Sequence, residues 1–163
     1  MDSKSRATDI TIIEPALIEI RDGRVFSPRY QDIYFSTGGS VDSYRVFLEP
    51  ARLVERMGRD PVFTVVEFGF GTGLNFVVTA TEFLRQRCKP TRLRFVSFEK
   101  HPLTRRDLKQ IGQTWGKSLP FVDQLWNQYP PAVAGWHRRF FKGGNIDLSL
   151  YVGEVATGLR DFF

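Results

Sequence analysis

The sequence predicts an α/β fold, and three observations carry that reading. Val62-Phe63-Thr64-Val65-Val66-Glu67 is β-branched and apolar, the pattern of a strand buried between two layers. Gly69-Phe70-Gly71-Thr72-Gly73 follows at once, and in residues 74–87 Phe76, Val77, Ala80, Phe83 and Leu84 mark one broad apolar helical face. A second strand, residues 93–98, then ends on Glu99. Strand, glycine turn, helix and strand make a βαβ unit.

The flanking elements follow from the same local patterns. Residues 16–30 hold two extended runs around Asp22-Gly23, a hairpin turn signal. Residues 30–36 alternate polar and bulky side chains until Gly38-Gly39 interrupts them. Ser40 is placed to cap a helix through Leu48, with Pro50 stopping it or opening a second turn to Met57. Downstream, Leu103, Leu108, Ile111 and Trp115 mark one helix, and Phe121, Leu125 and Trp126 another that Pro130-Pro131 ends. Residues 136–141 and 146–152 flank Lys142-Gly143-Gly144-Asn145 as a second hairpin, and a helix starts after Gly153-Glu154.

Composition bounds the function classes. The 163 residues are 42% hydrophobic, 25% charged and 14% aromatic, which excludes a disordered chain, a collagen-like repeat and a disulfide scaffold. Twenty-three Lys and Arg against 18 Asp and Glu leave a net charge of +5, a balance that favours polyanionic partners without identifying one. Cys88 is the only cysteine, so no internal disulfide forms; with two histidines besides, no metal site is expected. Residues 1–11 are polar with no apolar run behind them, and no stretch approaches the roughly 20 apolar residues needed to cross a bilayer. A soluble, cytoplasmic protein is the expectation.

The chemistry concentrates in the glycine turn. Glycines there let the backbone approach a ligand, and the N–H groups of the following helix start favour an anionic group. A dinucleotide fingerprint needs a third glycine at position 74, where Leu74 stands, and no Gly-Lys-Ser/Thr follows to make a P-loop. Glu67 at the strand end repels pyrophosphate but suits a ligand carrying an ammonium. S-adenosylmethionine carries an ammonium and a sulfonium and lacks phosphate. Glu99, at the neighbouring strand tip, is placed to accept both ribose hydroxyls, and Glu154 is the analogous candidate for the adenine edge.

Three blocks resemble one family. Residues 67–76, Glu-Phe-Gly-Phe-Gly-Thr-Gly-Leu-Asn-Phe, are similar to the nucleotide-site motif of the methyltransferase domain of the bifunctional tRNA 5-methylaminomethyl-2-thiouridine biosynthesis proteins. Asp32-Ile33-Tyr34-Phe35-Ser36 resembles their Asp-Val-Tyr-Phe-Ser, and residues 95–104 resemble their Phe-Ile-Ser-Phe-Glu-Lys-Phe-Pro-Leu-Thr. The likeness runs in order from about residue 16 to residue 154. It implies a Rossmann-like, class I S-adenosylmethionine-dependent fold, with residues 1–60 as an N-terminal hairpin and helical segment and 61–163 as the first half of the cofactor-binding sheet. It also implies methyl transfer to the aminomethyl group of a wobble 5-aminomethyl-2-thiouridine in tRNA.

By that likeness Gly69, Gly71 and Gly73 cradle the methionyl end and Glu99 holds the ribose; Glu67 and Phe70 are counted with them as cofactor-binding residues. Where the chain has Gly153-Glu154 the family usually has Gly-Asp. Asp32 and Tyr34 border the acceptor pocket, while Arg105 and the pair Arg138 and Arg139 are candidates for tRNA phosphates. The family's catalytic aspartate segment and its FAD-dependent oxidoreductase half have no counterpart in these residues. No catalytic residue is assigned, and the chain alone is expected to bind cofactor weakly, to lack turnover, and to carry residues 62–66 on an apolar sheet edge. An NAD-dependent oxidoreductase and a non-catalytic fragment with residual RNA binding are the alternatives.

Overall fold

The computed structural model describes residues 10–35, 40–57, 60–86, 92–115 and 121–162. The predicted βαβ unit is present. β4 (Val62–Phe68) leads through α3 (Leu74–Arg85) to β5 (Arg92–Glu99), which pairs in parallel with β4 from Val62↔Arg92 to Phe68↔Phe98. β7 (Ile146–Val152) lies parallel on the other side of β5, and β6 (Gly135–Phe141) closes the sheet antiparallel to β7. The order is therefore β4-β5-β7-β6, with β4 on one edge. The predicted second hairpin is β6–β7, joined by a 3-10 turn at Lys142–Gly144.

The first hairpin is also present, as β1 (Glu19–Arg21) and β2 (Arg24–Ser27). Its two-residue turn needs positive φ at both positions, and Asp22 and Gly23 supply 49° and 73°. β3 (Asp32–Phe35) adds a third antiparallel strand on β2. Between β3 and β4 in the chain come α1 (Ser40–Ser43) and α2 (Leu53–Arg56). The helix predicted from Ser40 to Leu48 is corrected here: after one α turn the chain widens into a π turn, Tyr44–Leu48, which buries Leu48. α4 (Arg105–Trp115), α5 (Val122–Asn127) and α6 (Val155–Phe162) match the later helical patterns.

One apolar core unites the two segments. Val25 of the first sheet and Leu48 and Leu53 beyond it join Phe63, Val65, Phe76, Phe95 and Phe141 in a single buried cluster. Phe76 of α3 meets Phe95 edge-on, with ring centroids 5.4 Å apart, and lies equally close to Phe141. Each such ring, fully buried, contributes on the order of 2–3 kcal/mol. On the other face α6 covers Phe98 and Tyr151, and Gly158 lets it approach: a Cβ there would fall 2.6 Å from the Tyr151 ring.

β4 corrects a second expectation. Its pattern alternates, with Phe63, Val65 and Glu67 buried while Val62, Val66 and Phe68 are exposed, Phe68 by 68%. The strand is covered on one face only. As an edge strand it also leaves one side without a partner among the described residues, as the family likeness implied.

Candidate functional site

The parallel strands end together, and backbone hydrogen bonds lace their tips. Gly69 N–H donates to the Phe98 carbonyl at 2.9 Å, and Gly153 N–H donates to the Glu99 carbonyl at 2.9 Å. Above these tips opens a cavity of about 630 Å³. Its floor is the glycine loop and the ends of β4 and β5, and its opposite wall comes from β3, α1 and the π turn.

The glycine loop is held from beneath. Tyr129, itself buried, donates its hydroxyl to the Gly71 carbonyl at 2.8 Å, and Trp126 Nε1 donates to the Thr72 carbonyl at 3.2 Å. Gly71 has φ +53°, and a Cβ on it would sit 3.3 Å from Tyr34 Cδ1. Gly73, at φ +79°, is tighter still, since a Cβ would meet Leu125 Cδ2 at 2.5 Å. Side chains there would either fill the space above the loop or displace α5 below it.

Glu99 closes the loop from the β5 side. Its Oε2 accepts the Gly71 N–H at 2.7 Å and its Oε1 accepts the His101 N–H at 2.9 Å. Burial raises its pKa above the usual carboxylate value, against these backbone donors. His101, also buried, turns Nδ1 toward the Glu14 carbonyl at 2.9 Å, which fastens the N-terminal segment beside the site.

Glu67 occupies a different place from the one its strand-end position suggests. It is 6% exposed and lies behind the cavity wall. Asn75 Nδ2 donates to its Oε1 at 2.7 Å and Ser97 Oγ to its Oε2 at 2.9 Å. Burial pushes its pKa up to about 7 even so, with the nearby Glu99 adding to the rise. Asn75 and Ser43, which hydrogen-bonds to Asn75, stand in front of it and line the cavity.

Of the remaining predicted residues, Gly69, Phe70, Gly71, Asp32, Tyr34 and Glu154 line the cavity. Tyr34 is half-buried, and burial and Glu99 hold its hydroxyl at about 12. Glu154 stands exposed at the rim, paired with Lys100 Nζ at 2.5 Å. Gly73 stands beneath the loop. Arg105, on α4, does not reach the cavity lining, nor do Arg138 and Arg139 on β6. Arg138 binds the buried carboxylate of Asp147, and Arg139 Nε donates to the Gln128 carbonyl at 2.9 Å.

Sequence reading missed Ser43, Asn75, Asp42 and Tyr129 as site residues. Asn75 stood inside a matched block, so only its chemistry went unused; the other three carry no local signal. The assembled cavity wall is acidic. Among the described residues, Asp32, Asp42, Glu99 and Glu154 line it against one cation, Lys100. A wall of that sign attracts cationic ligands and repels pyrophosphate.

No family model matches the chain. Over 154 residues, 91% of its length, it is 44% identical to the tRNA 5-methylaminomethyl-2-thiouridine biosynthesis bifunctional protein MnmC of Cupriavidus metallidurans, of which it covers 23%. The protein of the same name from Aeromonas hydrophila is 41% identical over 143 residues, covering 84% of this chain and 22% of that one. That from Thiobacillus denitrificans is 37% identical over 150 residues, covering 91% and 24%. The chain is thus homologous to one segment of these proteins and spans about a quarter of their length. The crystal structure of MNMC2 from Aquifex aeolicus superposes with a TM-score of 0.64 at 19% identity, over 91% of this chain and 46% of that one. The α/β architecture expected from the family resemblance is shared with that structure.

Proposed function

We propose that this chain, a homologue of bifunctional tRNA-modification proteins over about nine-tenths of its length, forms an S-adenosylmethionine-binding part of a tRNA methyltransferase. Its substrate on this reading is the aminomethyl group of a wobble 5-aminomethyl-2-thiouridine. The observation that carries the reading is the sign of the cavity: four carboxylates against one ammonium, in a chain of net charge +5. A ligand bearing an ammonium and a sulfonium but no phosphate suits that wall, whereas a nicotinamide dinucleotide does not.

The residues present also fit the cofactor's shape. Gly69, Phe70 and Gly71 floor the cavity for a methionyl end; a Cβ on Gly69 would meet nothing within 4 Å, while Gly71 lies close under Tyr34. Glu99 accepts backbone N–H groups at the loop through both oxygens, and its remaining acceptor capacity suits ribose hydroxyls. Glu154, which lines the cavity, is our candidate for the adenine edge. Bound there, S-adenosylmethionine supplies an electrophilic methyl group on sulfur.

The chain's own part is positioning. In-line displacement on a methyl group gains most from holding the acceptor in place. Asp32 and Tyr34 face the glycine loop from β3 and border the acceptor amine, where a carboxylate orients an N–H or takes its proton. For the tRNA backbone, Arg105 on the exposed side of α4 is the freer basic group, since Arg138 and Arg139 already hold Asp147 and Gln128. An FAD-dependent oxidoreductase partner belongs to the same proposal. The relatives' description as bifunctional supports it, as does the quarter of their length that this chain spans.

Titration calorimetry with S-adenosylhomocysteine and, separately, NADH tests the reading. Binding of the former alone is expected, abolished by Gly71→Val and by Glu99→Ala. Tighter binding of NADH, or wild-type affinity in both variants, would overturn it.

A further inference from the structure

The stretch joining β2 to β3 carries part of the cavity lining, and it leans on one buried histidine. Ser27, Tyr30 and Asp32 of that stretch line the cavity. The turn is closed on itself: Gln31 Nε2 donates to the Pro28 carbonyl at 2.7 Å, and the Tyr30 N–H donates to Ser27 Oγ at 3.3 Å. It meets His101 through Arg29, whose Nη1 lies 3.5 Å from Nε2, and through the Tyr30 ring, 6.3 Å away between centroids. The N-terminal segment meets the same ring, with the Glu14 carbonyl 2.9 Å from Nδ1. His101 is 8% exposed, and its own N–H donates to Glu99 Oε1 at 2.9 Å, which fixes the ring beside the cavity floor.

These partners leave the ring one protonation state. A carbonyl oxygen only accepts, so Nδ1 carries a proton; a guanidinium only donates, so Nε2 presents its lone pair. A second proton, on Nε2, would set two donors and two positive charges face to face. Of the charged groups around the ring, the Glu14 and Glu99 carboxylates favour that proton and Arg29 opposes it, while the adjacent Lys100 is engaged with Glu154. Arg29 also pairs with Glu14 Oε2 at 2.6 Å, but with side chains 40% and 68% exposed that pair contributes little. The buried imidazole is the joint between segment and turn.

We propose that His101 is a positioning residue: as the neutral Nδ1–H imidazole it pins the N-terminal segment and the Arg29 turn beside Glu99, and protonation of Nε2 releases this wall of the cavity. Imidazoles ordinarily change charge between about pH 5 and 8, so the wall is closed at neutral pH and loosens on mild acidification. The inference concerns the wall itself and holds whichever ligand the cavity takes. A histidine serving packing alone would show neither a fixed tautomer nor a charge-dependent release.

NMR of the purified, nitrogen-15-labelled chain from about pH 8 down to about pH 5.5 tests this. At the alkaline end the ring nitrogens of His101 are expected to show Nδ1 protonated and Nε2 bare. As the ring takes its second proton, amide-exchange protection falls about tenfold at Tyr30 and at Ala16, whose N–H donates to the Pro102 carbonyl at 3.0 Å, while Leu150 in β7 holds. His101→Gln, which donates and accepts without titrating, keeps the alkaline protection and loses the acid step. The opposite tautomer, protection that stays level at Ala16 and Tyr30, or a fall shared equally by Leu150 overturns the inference. So does an acid step that survives in His101→Gln and therefore belongs to a carboxylate or to His137. If His101→Gln does not fold, Arg29→Met decides: without the facing guanidinium the acid step disappears, and its survival overturns the proposal.

Discussion

Tyr129 reaches across 58 positions of sequence to place its hydroxyl 2.8 Å from the carbonyl oxygen of Gly71. The loop that floors the cavity is thereby held by a buried ring whose position nothing near the loop specifies. Tyr129→Phe keeps the ring and deletes the hydrogen bond. Its expected cost is about 1 kcal/mol of stability, with a several-fold loss in affinity for S-adenosylhomocysteine. Thermal unfolding and calorimetry on the same preparation check both.

Gly71 and Gly73 should separate binding from folding. At Gly71 an added methyl group points toward Tyr34, into the cavity; at Gly73 it meets Leu125 of α5. Gly71→Ala is expected to weaken ligand binding more than tenfold with a modest fall in Tm. Gly73→Ala is expected to cost roughly 1–3 kcal/mol through overpacking and strained φ. Equal stability losses in the two variants would contradict this division.

Glu67 gives the stability a pH dependence of known sign. Burial raises its folded pKa to about 7 from an ordinary 4.5, so the folded state binds the proton more tightly than the unfolded chain. The stabilisation this provides is full below about 4.5 and is lost as pH climbs through 7. Glu99 is shifted the same way. The difference in Tm between wild type and Glu67→Gln should therefore change across that window and level off above it. A difference constant from pH 4 to 8 would show that Glu67 does not titrate there.

The basic residues should divide by what they already hold. Arg138→Ala strands the fully buried carboxylate of Asp147 and is expected to lower Tm. Arg105→Ala should leave Tm unchanged while weakening tRNA binding and reducing its salt slope by about one. Filter binding across a salt series, beside thermal melts, distinguishes the two.

What the sequence made legible was local. The alternation and turn chemistry of the first hairpin, the glycine loop after β4, and the Gly153-Glu154 start of α6 all lie within spans of a few residues. Burial of β4 on both faces was misread because an apolar run reports only that its residues tolerate burial. Whether a helix lies over them depends on α6, which covers Phe98 and Tyr151 and stops short of Val62, Val66 and Phe68. Glu67 was likewise placed on the right strand and tip, but the asparagine in front of it is a matter of helix phase. Ser43 joins it from 32 positions before Asn75, a distance no periodicity spans.

The laced strand tips have a kinetic consequence. With Gly69 bonded to Phe98 and Gly153 to Glu99, the cavity floor shares the cooperative unit of the sheet, and its amides should exchange with solvent as slowly as the central strands do. A guest cannot be admitted by opening that floor without unzipping the sheet. Admission and release fall instead to the opposite wall, built from β3, the single turn of α1 and the π turn after it. Residence time is set on that side of the cavity, and mutations there should alter how long a ligand stays before they alter which ligand is preferred.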